Sequence, residues 1–120
     1  MIPHFDELNT LGYRRALLVS DNIALLGIIT AMLFPSGFEV ELITMNEARE
    51  LKPEDFTILI FDGDPSFKFT RFYPGVVVIS PSNIAQIYDR GADLVLERPL
   101  VTNTFVAKIR AMLRRYSIFI

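Results

Sequence analysis

Four short polar clusters hold the residue types that chemistry needs: Ser20-Asp21, Asp62-Gly63-Asp64, Ser80 and Arg98-Pro99. Each follows directly on an apolar run. Carboxylates brought together with a hydroxyl and a guanidinium suit a hard cation and a phosphoryl group. The carboxylates would ligate the metal, and the hydroxyl and cation would meet the phosphoryl oxygens. For any one cluster the plainer account is that turns after strands are polar. The four become one site when the runs before them are neighbouring parallel strands, because open parallel sheets bind ligands beyond their carboxyl ends.

The elements that must position these residues are legible as runs. Ala16–Val19, Thr57–Phe61, Gly75–Ile79 and Leu94–Leu96 are apolar without alternation, as strands are when helices cover both faces. Phe38–Ile43 alternates apolar with acidic residues, which suits an edge strand. Helical spacing joins Ile23, Leu26, Ile28, Ile29, Met32 and Leu33, with Asp21 or Asn22 as cap and Gly37 beyond the end. Asn46–Leu51 is predicted as a short helix capped by Asn46. Ile84–Tyr88 is predicted as another, preceded by Ser82-Asn83 and ended by Gly91. The last helix starts near Thr102, with Phe105, Ile109, Met112 and Leu113 on one face and Lys108, Arg110, Arg114 and Arg115 on the other. Strands alternating with helices specify a doubly wound α/β fold with a parallel sheet. One crossover departs from this pattern. Only thirteen residues separate Asp62 from Val76, and they hold two prolines and four aromatics (Phe67, Phe69, Phe72, Tyr73). A loop or single turn is expected there, its aromatics filling the space of a helix.

Composition bounds the rest. The 120 residues are the length of one domain, and a hydrophobic content of 51% excludes a disordered segment. Mean hydropathy is +0.34, yet no apolar run approaches the ~18 residues of a bilayer span. The N-terminus lacks the features of a signal peptide. Without cysteine there is no disulfide, thiolate or zinc knuckle, and a cytoplasmic location is expected. The single histidine, His4, makes no metal centre by itself. A net charge of −2 with no helix-turn-helix makes DNA binding by the chain unexpected.

From about Arg15 to Tyr116 the chain resembles the response-regulator receiver domain, the CheY-like module of two-component phosphorelay signalling. Gly91-Ala92-Asp93 followed by Glu97-Arg98-Pro99 is similar to that family's G-A-D-x-x-x-x-K-P segment. Leu17–Asn22, Ser36–Val40 and Thr57–Asp62 resemble its first three strands and their boundaries. The resemblance implies a flavodoxin-like five-stranded parallel sheet of order 2-1-3-4-5, its third helix shortened or missing. It divides the chain into an N-terminal extension (1–13) and a receiver-like domain (14–120), with no output domain. It implies Asp62 as phosphoacceptor, and Asp21, Asp62 and the Asp64 carbonyl as ligands of Mg2+. Ser80 and the position of Arg98 would contact the phosphoryl group, and a cis peptide would precede Pro99.

Five departures stand against that pattern. Ser20 replaces an acidic residue of the metal site, and Mg2+ depends on such oxygen ligands. Arg98 replaces the lysine with a planar fork rather than a point charge, and is suited to clamp Asp62 or Asp21 instead. Val95 stands where the family carries an aromatic switch residue. Pro81 stiffens the loop after Ser80, and Pro65 arrives early in the third crossover. Together they imply a degenerate receiver that is not an enzyme and acts through protein contacts, its phosphorylation impaired or absent. A receiver still phosphorylated on Asp62 with Mg2+ is the alternative. More distantly, Asp62-Gly63-Asp64 resembles the D-x-D of haloacid-dehalogenase phosphohydrolases, in which the first aspartate is the nucleophile. Partners are expected to be signalling proteins. The face from Ile84 to Tyr116, with Tyr88, Arg90, Arg110 and Arg114, is the candidate for docking or homodimerisation. The apolar tail Ser117–Ile120 either folds back or covers a neighbour.

Overall fold

Chain connectivity and burial follow from which strands lie inside. The computed structural model describes residues 14–50, 56–65 and 75–116. Its strands are β1 (Arg14–Val19), β2 (Phe38–Ile43), β3 (Ile58–Asp62), β4 (Val76–Ile79) and β5 (Leu94–Leu96). They form one parallel sheet in the order β2-β1-β3-β4-β5. The sheet order is the expected one. The unbroken apolar runs of β1, β3 and β4 are the three interior strands, and alternating β2 is an edge. Leu94–Leu96, read as an unbroken run, is the other edge and is half-buried at two of its three residues. The predicted extension (1–13), most of the aromatic crossover (66–74) and the apolar tail (117–120) lie outside the described residues.

Successive side chains of a strand face opposite ways, so the sheet feeds two cores. Ala16, Leu18, Ile58, Ile60, Val77 and Ile79 point to one side. There they meet α1 (Ile23–Leu33), through Leu25, Ile29, Met32 and Leu33, and α3 (Thr102–Arg114), through Phe105, Ile109, Met112 and Leu113. Leu17, Val19, Leu59, Phe61, Val76 and Val78 point to the other side. Their cover is lighter among the described residues: Ile87 from α2 (Ile84–Asp89), with Ala48, Phe56 and Ala92.

Local chemistry sets the helix ends. Asn22, rather than Asp21, caps α1, its Oδ1 accepting the Ala24 N–H at 3.1 Å. α1 passes into a 3-10 turn at Phe34–Ser36 before Gly37, whose φ of 84° is open to glycine at little cost. The helix predicted over Asn46–Leu51 is a 3-10 turn at Glu47–Glu50, with Leu51 outside the described residues. Its cap is not Asn46. Thr44 and Glu47 form a reciprocal capping box: Glu47 Oε1 accepts the Thr44 N–H at 3.0 Å, and Thr44 Oγ1 accepts the Glu47 N–H at 3.3 Å. These bonds to Thr44 hold the Glu47 carboxyl below the usual carboxylate range. Asn83 precedes α2 in the left-handed region (φ 58°) without a side-chain cap, a conformation that asparagine tolerates better than most residues.

Asp93 ties three elements together. Its backbone N–H donates to the Val76 carbonyl, and its Oδ2 accepts the Val76 N–H, both at 2.8 Å. Its Oδ1 accepts the Tyr116 hydroxyl at 2.5 Å, so the start of β4, the approach to β5 and the end of α3 share one carboxylate. Partial burial and this bond push the Tyr116 phenol up to about 12. A raised phenol favours the neutral form in the folded state. That contribution is whole below the unfolded value near 10 and is lost as pH rises from about 10 through about 12. In thermal melts the stability advantage of the wild type over Tyr116→Phe should therefore shrink across that window. An advantage that stays constant would show that the latch does not titrate.

Candidate functional site

Parallel pairing brings the strand ends to one rim. Val19 is in register with Phe61, Asp62 with Ile79, and Ile79 with Leu96. The ladder runs one residue further: Ser20 N–H donates to Ile43 O, Gly63 N–H to Ile79 O and Ser80 N–H to Leu96 O, each at 2.9 Å. Ser20, Asp62 and Ser80 therefore stand side by side at the carboxyl edge, with Arg98 two residues beyond β5. Gly63 turns the chain away from Asp62 with φ 102°. A Cβ on Gly63 would meet nothing within 4 Å, so the backbone angle rather than crowding calls for glycine there.

Three of the expected site residues meet in one hydrogen-bonded set. Ser20, buried at 3% exposure, donates its hydroxyl to Asp62 Oδ2 at 2.6 Å and accepts the Asn22 N–H at 2.9 Å. Arg98 donates through Nη2 to the other carboxylate oxygen, Asp62 Oδ1. Of the two acids that sequence offered Arg98, the structure pairs it with Asp62. The peptide before Pro99 is cis.

The other expected residues are engaged elsewhere. Asp64 accepts from Arg90 Nη2 in a half-buried ion pair. Arg90, a candidate for the docking face, turns its charged end to the strand-end rim. The pair joins positions 26 apart, and no spacing rule foretells it. Ser80 turns its hydroxyl to its own loop, donating to Ser82 O at 2.9 Å. Asp21 is exposed. Tyr88 remains on the α2 surface, but its hydroxyl accepts the Val95 N–H at 3.1 Å, fastening α2 to β5. Val95 is half-buried against the second core. Arg110 and Arg114 are exposed on α3.

Mg2+ does not fit this set as it stands. Both oxygens of Asp62 are occupied, one by a hydroxyl and one by a guanidinium. Ser20, at the position the resemblance gives as acidic, offers a neutral hydroxyl that is already bonded to Asp62. Among the described residues no three histidine, cysteine, aspartate or glutamate side chains are grouped to hold a metal. The positive charge that Asp62 meets here comes from the chain itself, through Arg98.

No protein-family model matches the chain, and no curated protein matches it significantly. Solved structures do. A response-regulator receiver domain protein from Clostridium thermocellum superposes with a TM-score of 0.70 at 18% identity, over 87% of this chain and 97% of that one. The chain has the receiver fold. The signal receiver domain of a putative LuxO repressor protein from Vibrio parahaemolyticus gives 0.69 at 16% identity, over 87% and 92% of the two chains. HP1043, an orphan response regulator of H. pylori, gives 0.68 at 22%, over 86% and 98%. At these identities the likeness is one of fold. No helix among the described residues is long and apolar enough to cross a membrane.

Two outcomes follow from this bonding. Ser20→Ala removes a buried hydroxyl with two hydrogen bonds and should cost about 1–3 kcal/mol in urea denaturation. Arg98→Ala removes a half-exposed cation and should cost about 0–1 kcal/mol; a larger loss for Arg98 than for Ser20 would reverse the ranking. In the second test, millimolar Mg2+ should leave the wild-type melting temperature unchanged. The Ser20→Asp/Arg98→Lys double variant, which restores an acid and a compact cation, should be stabilised by Mg2+ through mass action. A wild-type midpoint that climbs with Mg2+ would contradict the misfit.

Proposed function

We propose that this chain is an atypical receiver domain of two-component signalling that acts through protein–protein contacts, with phosphorylation of Asp62 impaired or absent. The observation that carries the reading is the double engagement of the Asp62 carboxylate by Ser20 and Arg98. Phosphoryl transfer to a carboxylate needs an oxygen free to attack in line and a cation to gather the charge of the moving group. Here one oxygen accepts from a short, buried hydroxyl bond and the other from a guanidinium. A charge-assisted bond of this kind draws electron density from the nucleophile. The hydroxyl expected to receive the phosphoryl oxygens, Ser80, is bonded to Ser82.

Loss of the switch residues fits the same reading. With Val95 in place of an aromatic ring, β5 has no side chain that swings between two positions. Tyr88 pins the neighbouring helix to the Val95 backbone. A module so bonded presents one surface, and its role is that of a constant binding partner for another signalling protein rather than that of a catalyst. Commitment of Asp64 to Arg90 likewise leaves no second aspartate poised as the acid or base of a phosphohydrolase.

Incubation with a small-molecule acyl phosphate and Mg2+, followed by intact mass measurement, tests the proposal. The expected mass is that of the unmodified chain. Stoichiometric gain of one phosphate, abolished in Asp62→Asn, would establish the alternative of a working phosphoacceptor and overturn it.

A further inference from the structure

α1 reads Ile-Ala-Leu-Leu-Gly-Ile-Ile-Thr-Ala-Met-Leu and carries no charged side chain. Leu25, Ile29, Met32 and Leu33 account for its buried side. The opposite side is apolar as well. Ile23 is 76% exposed and Ile28 49%, and Phe34, in the 3-10 turn that continues the helix, is 73% exposed. A helix on a protein surface normally turns charged residues to water, and an apolar outer face marks a contact surface.

We propose that this face packs against the same face of a second copy, the two α1 helices running antiparallel about a two-fold axis near Ile28. A two-fold interface must be self-complementary, each residue meeting on the partner the residue that meets it in return. The α1 face meets that condition in shape. Antiparallel pairing sets Ile23 of one copy beside Phe34 of the other, at both ends, with the small residues Ala24, Gly27 and Ala31 between them. A Cβ on Gly27 would meet nothing within 4 Å, so the centre of the face is open to close approach.

Charge makes the same choice of partner and direction. Asp21 lies exposed just before the start of α1, with no hydrogen bond or ion pair recorded for it among the described residues. Arg110 of α3 stands at the other end, lining a recess with Ala31, Pro35 and Ser36. Antiparallel pairing brings Asp21 of each copy to Arg110 of the other, twice over. Parallel pairing would set like charges together at both ends. α3, beside α1 on the same side of the sheet, holds no acidic residue, so it sets no like charge against Asp21. The contact area is modest: α1 and its turn span about 20 Å. That places the dimer at the low end of specific interfaces, with a dissociation constant on the order of micromolar. The inference does not depend on whether Asp62 accepts phosphate, and it is centred on α1, sharing only Arg110 with the face of residues 84–116.

Sedimentation velocity of the full chain across a concentration series tests it. Gly27→Glu puts a charge at the centre of the face while replacing the poorest non-proline helix former, so its melting temperature should not fall. Wild type should self-associate, and Gly27→Glu and Asp21→Arg should both sediment as monomers. The charge-swapped Asp21→Arg/Arg110→Glu should recover the dimer. A wild type that stays monomeric at every concentration would overturn the proposal. So would a dimer that survives Gly27→Glu, whether or not Tyr88→Glu then disrupts it.

Discussion

Asp62 ends a strand that is buried up to its last residue and flanked by two others, so its carboxylate, partly withdrawn from water, calls for hydrogen-bonding and charged partners. Its neighbours at the rim supply them: Ser20 from the strand on one side and Arg98 from beyond the sheet edge on the other. Much else at the carboxyl edge is arranged around this set. Ser20 also receives the Asn22 N–H, so the acid is coupled through one hydroxyl to the residue that caps α1. Gly63 takes the chain away in a left-handed turn, and Arg90 meets the next acid, Asp64.

A divalent ion and a guanidinium solve the same electrostatic problem differently. Mg2+ asks for several oxygen ligands in near-octahedral array and can leave or exchange. Arginine brings one charge, needs one carboxylate, and is tethered to the backbone two residues beyond β5. A site balanced by its own arginine carries its counter-charge permanently. On the proposed reading, that exchange gives the edge one bonded state in place of one that gains and loses phosphate. It is consistent with a receiver fold retained for the surface it offers.

The opposite edge of the sheet is held by different means. Asp93 bonds Val76 and Tyr116, joining β4, the approach to β5 and the end of α3 far from Asp62 along the strands. It was legible only as part of a Gly-Ala-Asp segment, and the bonds it makes could not be read from spacing. The strand order was legible because interior strands betray themselves by unbroken apolar runs and β2 by its alternation. The short helix after β2 was misread because Asn46 and Thr44 are both capping residues, and the side chain three residues after Thr44 decides between them. The pairing of Arg90 with Asp64 was not legible for a related reason. An arginine at a helix end looks solvated until an acid from another strand is brought beside it.

By itself, the sequence determined the alternation of strands and helices, the interior position of β1, β3 and β4, and the convergence of Ser20, Asp62, Ser80 and Arg98 on one rim. These depend on local periodicity and on the rule that a parallel sheet collects its strand ends on one side. Tertiary structure alone decided which oxygens meet which donors: Ser20 and Arg98 on Asp62, and Arg90 on Asp64. It also revealed that α1 is apolar on its outer side, since only packing shows which apolar residues are left uncovered. The physical reason is range. Periodicity acts over a few residues, whereas side-chain pairing joins residues 26 to 42 positions apart and is settled only when the sheet has closed the distance.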